Sequence, residues 1–341
     1  MSLLPLKRVF IIAEAGVNHN GSFRIAKEMI DAAKLAGADA VKFQTFKAEN
    51  IVTFNAKKAA YQADNTGKDP SQYKMLKRLE LGSEEFKRLA AYARKRKILF
   101  LASPFDKESV DLLDRIGVCA FKIASGEITN LPLIKYIAQK RKTIILSTGM
   151  SDLKEIKAAV DIIRAQGVKN IILLHCVSEY PVRFKDVNLK SIQTLRKNFR
   201  LPVGFSDHTS GIAAAAIATV LGASVIEKHF TLNRRMKGPD HKVSLEPDEF
   251  KNMVLLVRQT EKALGSGFKK ATKAEERIKK DVRKSIVAKI DIPKGVKISD
   301  DMVDIKRPGI GIVPRYLNRV LGKAAKRRIR KDSLIRFKDL K

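Results

Sequence analysis

Two lysines stand inside otherwise apolar β-like runs, Lys42 in AVKFQTF (residues 40–46) and Lys122 in AFKIAS (residues 120–125). An ammonium is costly to bury unless an anion or carboxylate faces it. Each lysine therefore implies either an ion pair with Glu14, Glu127 or Glu227, or a cradle for the phosphate and carboxylate of a ligand. Serines mark the ends of similar runs at Ser103, Ser125, Ser147 and Ser206. Singly, each is a small residue that suits a packed interior; repeated at run ends, they read as ligands for phosphate or substrate. His208 and His229 close two consecutive runs, PVGFSDH (residues 202–208) and SVIEKHFT (residues 224–231). Imidazoles at matching strand ends suit a divalent metal, with Glu14 placed to complete or support the site. A lone histidine is more often a packed core residue, and His175, within its run, reads that way. His19 and His241 fall in loops, where solvent exposure is the expectation.

A scaffold that brings these run ends together is visible in the same pattern. Eight short β-rich runs, at 9–16, 40–46, 98–105, 120–125, 143–149, 171–177, 202–208 and 224–231, alternate with amphipathic segments such as FRIAKEMIDAAKLAG and SDLKEIKAAVDIIRAQG. Apolar spacing of helical period with glycines near the ends predicts helices there. Eight strand-helix units predict an α/β fold of the (β/α)8, or TIM, barrel class, whose active sites lie at the carboxyl ends of the strands. A doubly wound sheet also alternates strands and helices, but no GxGxxG follows the first strand. The last barrel helix ends near Gly265, giving a barrel over residues 1–265. Residues 266–284 are charged and glycine-punctuated, as a linker or exposed helix would be. Residues 285–341, with PKG and RPGIG turns, predict a small β-rich domain that needs a docking surface.

Lys and Arg number 68 against 36 Asp and Glu, a formal charge of +32, which raises the question of nucleic acid. The excess is spread, with 24 basic and 9 acidic residues from Ser266 onward. A solvated lysine-rich surface explains it, with no nucleic-acid partner expected. Cys119 and Cys176 sit in apolar runs as free thiols would in a reducing compartment. The first residues read as a strand rather than a signal peptide, and no run approaches a membrane span, so a cytoplasmic protein without membrane partners is expected.

EAGVNHNGS (14–22), VKFQT (41–45), SPF (103–105), FKIASGE (121–127), ILSTGM (145–150), LLHCVSEYP (173–181), GFSDHT (204–209), EKHFT (227–231), GPDHKVSLEP (238–247) and KRPGIG (306–311) together resemble the sialic acid synthase family. The resemblance covers nearly the whole chain. Its small C-terminal domain resembles the antifreeze-like, or SAF, module. Residues 61–66 resemble a loop of bacterial members. EAGVNHNG differs from the ELSANHNG form associated with pseudaminate synthases, which disfavours that product.

The resemblance implies condensation of phosphoenolpyruvate with an N-acylated amino sugar and release of phosphate. The expected enzyme is an N-acetylneuraminate synthase using N-acetylmannosamine. The alternative is an N,N'-diacetyllegionaminate synthase using 2,4-diacetamido-2,4,6-trideoxymannose. It also implies Mn2+ or Mg2+ on His208 and His229, and phosphoenolpyruvate on Lys42, Lys122, Ser103, Ser125, Ser147 and Ser206. Gln44, Tyr180 and Asp240 fall on the sugar side, joined by Arg307 from the partner subunit of a domain-swapped homodimer. Glu14, Glu127 and Lys122 are the expected catalytic groups. Two departures fall on the sugar side: Ser178 stands where one relative has asparagine, and no aromatic residue near Asp281 to Ser285 matches one in that relative. A 3-deoxy-octulosonate-type aldolase and a noncatalytic binding protein are competing readings; the C-terminal module argues against the first, the full set of strand-end groups against the second.

Overall fold

In the computed structural model, residues 6, 8–67 and 69–341 are described, apart from the side chain of Tyr61, so residues 1–5 and that part of the 61–66 resemblance lie outside the description. The chain divides into two compact units, residues 1–265 and 266–341. The first holds eight parallel strands: β1 (Phe10–Gly16), β2 (Ala40–Thr45), β3 (Leu99–Pro104), β4 (Ala120–Ile123), β5 (Thr143–Ser147), β6 (Ile171–Cys176), β7 (Val203–Asp207) and β8 (Val225–His229). All eight expected runs form strands. Their order is β3-β2-β1-β8-β7-β6-β5-β4, so the first strand pairs with the last and the sheet curls into a TIM-type barrel, nearly closed, with β3 beside β4 at the seam.

Side chains alternate across each strand with period two. Facing inward, Phe10, Ile12, Ala40, Leu101, Ala120, Ile145, Ile172, Leu174 and Val225 form an apolar plug in the barrel. Facing outward, Ile11, Val41, Phe43, Phe100, Phe121, Ile144, Leu173, Phe205 and Ile226 pack beneath the helices. The helices are delimited by local signals: Ser22, Asp106, Asn130 and Asp152 accept hydrogen bonds from backbone N–H groups of the first turns they precede. Helix Pro247–Leu264 ends the unit beside Gly265, as its periodicity predicts.

The second unit begins with helix Lys273–Val282, so most of the expected linker is helical. Its core of Ile286, Ala288, Ile292, Ile298, Val320, Ala325 and Ile335 surrounds a two-stranded antiparallel ribbon, β9 (Ser285–Ala288) and β10 (Val303–Lys306), with 3-10 turns and isolated bridges supplying the remainder. Gly309 N donates to Lys280 O at 2.7 Å, tying the helix to the RPGIG turn within this unit. Among the described residues no helix is long and apolar enough to cross a membrane.

Candidate active site

Two residues above the apolar plug, the inward positions turn polar on one strand after another: Glu14, Lys42, Ser103, Lys122, Ser147, Ser206 and Glu227. These groups line a cavity of about 380 Å³ at the carboxyl ends of the strands, a volume suited to a small-molecule ligand. Lys42 makes a short ion pair with Glu14 and stands 3.7 Å from Glu227, which in turn lies 3.6 Å from Lys122 and accepts a hydrogen bond from Ser206 Oγ at 2.9 Å. Lys42 also donates to Ser103 Oγ at 3.2 Å. The ion pairs weighed from sequence are therefore present with Glu14 and Glu227, and they sit in the cavity wall where a ligand can reach the same amines.

The two carboxylates are driven apart in acidity. Burial raises Glu14 to about 7 despite Lys42, and the negative Glu227 adds to the rise. Burial also opposes ionisation of Glu227, but Lys122, Lys42 and the Ser206 hydroxyl outweigh it and hold that group at about 2. Burial thus disfavours the charge on Glu14, while the lysines and Ser206 favour it on Glu227. Ser147 Oγ is buried and without a hydrogen-bond partner, an acceptor and donor facing the same cavity.

The histidine rings meet over one side of the cavity, His208 and His229 with centroids 5.5 Å apart and Tyr180 lying 4.2 Å from the first and 5.6 Å from the second. His208 Nδ1 donates to Val177 O at 2.7 Å, and its Nε2 lies 3.2 Å from the Tyr180 hydroxyl oxygen. His229 Nδ1 is buried without a hydrogen-bond partner. Burial, then His208 and Lys42, push its pKa well below the usual histidine range, which favours the neutral ring with one nitrogen lone pair to donate. This donor set fits a divalent ion held by two imidazoles and completed by water and substrate. Among the described residues no three His, Cys, Asp or Glu side chains converge into a closed cage.

The cavity wall includes Glu14, Lys42, Gln44, Ser103, Lys122, Ser125, Ser147, Tyr180, Ser206, His208 and His229 from the expected set. Glu127 is not in that wall: it is half-buried on the turn Ser125–Glu127, and its carboxylate accepts from Asn130 Nδ2 at 2.7 Å. Asp240 is buried outside the wall, its carboxyl raised by burial to about 6 with His208 opposing the rise. Arg307 belongs to the second unit, where it is exposed and its Nε donates to Val282 O at 3.0 Å. The expectation that His19 and His241 face solvent is incorrect. They are 1% and 0% exposed because the loops after β1 and β8 fold onto each other; His241 contacts Thr231 Oγ1 at 2.7 Å and Asn20 Oδ1 at 3.2 Å. Glu227 is legible in the sequence as a strand-end carboxylate and ion-pair partner, and its place two residues before His229 puts both on the inner face. Cys176 also lines the cavity, 3.4 Å from Ser125 Oγ, whereas Cys119 is half-buried at the opposite end of the barrel.

Residues 29–269 match the NeuB family and residues 283–341 match the SAF domain. The N,N'-diacetyllegionaminic acid synthase of Campylobacter jejuni is 52% identical over 333 residues, covering 97% of this chain and 100% of that protein. The protein of the same name from Legionella pneumophila is 47% identical over 317 residues, covering 92% of this chain and 89% of the other. A crystal structure of N-acetylneuraminic acid synthetase from Leptospira borgpetersenii, in complex with citrate, aligns with a TM-score of 0.71 at 38% identity, over 80% of this chain and 90% of that one.

Proposed function

We propose a function from a fixed premise: the chain belongs to the NeuB family, and its second unit is a SAF domain. It condenses phosphoenolpyruvate with 2,4-diacetamido-2,4,6-trideoxymannose and water, giving N,N'-diacetyllegionaminate and phosphate. The relatives named legionaminic acid synthases favour this alternative over the N-acetylneuraminate reading that stood first from sequence. The observation that carries the chemistry is the ring of Glu14, Lys42, Ser103, Lys122, Ser147, Ser206 and Glu227 in one cavity beside two imidazoles.

Lys42, Lys122 and the serines receive the phosphate and carboxylate of phosphoenolpyruvate, replacing part of the ion pairing that the lysines make with Glu14 and Glu227. Tyr180 and Gln44 border the space left for the open-chain sugar. His208 and His229 would hold a divalent ion, Mn2+ or Mg2+, which would supply Lewis acidity to the sugar aldehyde. Carbon three of phosphoenolpyruvate bonds to the aldehyde carbon, using the enol double-bond electrons, and carbon two becomes electron-poor. Glu227, held as a carboxylate, steadies that positive character. Water adds to carbon two and gives one proton to Glu14, which passes it to the new alkoxide on the former aldehyde carbon; the tetrahedral adduct then breaks its carbon-oxygen bond to phosphate while its hydroxyl proton goes to the departing phosphate, leaving the keto acid and hydrogen phosphate. Glu127, at the rim, orders the turn that carries Ser125. Arg307 of the partner subunit reaches the sugar in a domain-swapped homodimer, which supplies the docking surface the small domain requires.

Phosphate release from phosphoenolpyruvate with each sugar tests this assignment. A higher kcat/KM with the trideoxy sugar supports it; preference for N-acetylmannosamine returns the neuraminate reading.

A further inference from the structure

Lys228 stands between Glu227 and His229 on β8 but points the other way, out of the barrel and under the helices, where it is 1% exposed. Its amine makes a short hydrogen bond to Thr209 O and stands 3.0 Å from Asp207 Oδ2, which it meets as an ion pair. Asp207 Oδ1 accepts from Thr209 N at 2.8 Å and from Thr209 Oγ1 at 2.7 Å. The residues on both sides of His208 are thus gripped by the residue beside His229. On its far side the same loop is pinned by Val182 N donating to His208 O at 3.0 Å.

We infer that Lys228 is a positioning residue that sets the separation and orientation of the two imidazoles, with Asp207 and Thr209 as the arms through which it acts on His208. A lysine buried completely outside the cavity has no substrate to touch, and its contacts are spent on the loop of one candidate ligand while its backbone carries the other. Partners that orient metal-ligating histidines from behind govern metal affinity in this way. The inference rests on the metal reading above.

The test is Mn2+ binding to the full-length protein, by titration calorimetry and by electron-nuclear resonance of the bound ion. The variants are Lys228→Met, and Lys228→Met combined with Asp207→Asn, which leaves no unpaired buried charge. The wild type is expected to show nitrogen coupling from two imidazoles. The folded variants are expected to bind Mn2+ about tenfold to a hundredfold more weakly and to lose one nitrogen coupling, while phosphoenolpyruvate affinity without metal changes less than about threefold by the same reasoning. Should the single variant not fold, the double variant decides. Mn2+ affinity and two-nitrogen coupling retained in the variant overturn the inference alone, as does an equal loss of Mn2+ and phosphoenolpyruvate affinity. A wild type that binds no Mn2+ overturns the metal reading itself and the inference with it.

Discussion

At the scale of single residues, the proposed chemistry assigns different roles to two carboxylates of one cavity, pushed in opposite directions by their surroundings. Glu14 is raised to about 7 by burial and Glu227 is held at about 2 by the lysines around it. Glu14→Gln is expected to lower turnover roughly 10²- to 10⁴-fold, the range for loss of a general base, with the fold retained. Glu127→Gln, outside the cavity wall, is expected to lose far less, and steady-state rates measured side by side decide between them. Equal losses would return Glu127 to the chemistry. Glu227→Gln removes the charge between Lys42 and Lys122 and is expected to cost about 3 kcal/mol or more in unfolding free energy, as breaking one member of a buried ion pair does. Saturating phosphoenolpyruvate should restore much of that loss, because its anionic groups take the vacant place. Urea melts with and without the ligand provide the check: a ligand-free midpoint equal to that of the wild type, or a deficit that phosphoenolpyruvate does not narrow, contradicts this role.

At the scale of elements, much of this was legible because strands alternate. Once β8 is read as a strand, Glu227 and His229 must share a face and Lys228 must take the other; the same counting places Glu14, Lys42, Ser103, Lys122, Ser147 and Ser206 at one level of a closed barrel. Loops gave less. Nothing in local spacing says that the loops after β1 and β8 close over each other, so His19 and His241 were read as exposed when both are buried. That burial has a consequence for acid stability. Burial, joined at His19 by repulsion from His241, lowers each from 6.5 to about 4. Their contribution to stability is complete above pH 6.5 and is lost as pH falls from there toward 4, because the unfolded chain takes up the protons first. Near pH 5 the pair contributes a slope of roughly 2.5 kcal/mol per pH unit. His241→Gln should remove about half of that slope, read from urea melts at pH 7 and pH 5; an unaltered slope would contradict it. The loop after β5 is equally constrained. A Cβ at Gly149 would lie 2.4 Å from Ser178 Oγ and 2.8 Å from Ser125 Oγ, while Gly149 N already donates to Ser125 Oγ at 2.9 Å. Gly149→Ala is therefore expected to displace Ser125 and raise the KM for phosphoenolpyruvate roughly tenfold to a hundredfold; kinetics matching the wild type would show that the loop yields at no cost.

At the scale of the whole molecule, the barrel carries the chemistry and the SAF domain remains to be accounted for. It has its own core, and its Arg307 is exposed, with its Nε donating to Val282 O. In the proposed domain-swapped dimer, Arg307→Ala raises the KM of the sugar and leaves that of phosphoenolpyruvate near its original value. Equal changes in both would remove Arg307 from the sugar side. The chain carries a net charge of +32, so the proposed capture of phosphoenolpyruvate should weaken with ionic strength as long-range attraction is screened. Metal-dependent condensation onto a trideoxy amino sugar is read out by phosphate release. Assays pair phosphoenolpyruvate and Mn2+ with 2,4-diacetamido-2,4,6-trideoxymannose or N-acetylmannosamine, with and without chelator. Chelator-sensitive release that is faster with the trideoxy sugar is expected; release with neither sugar, or release indifferent to chelator, would overturn the proposed function.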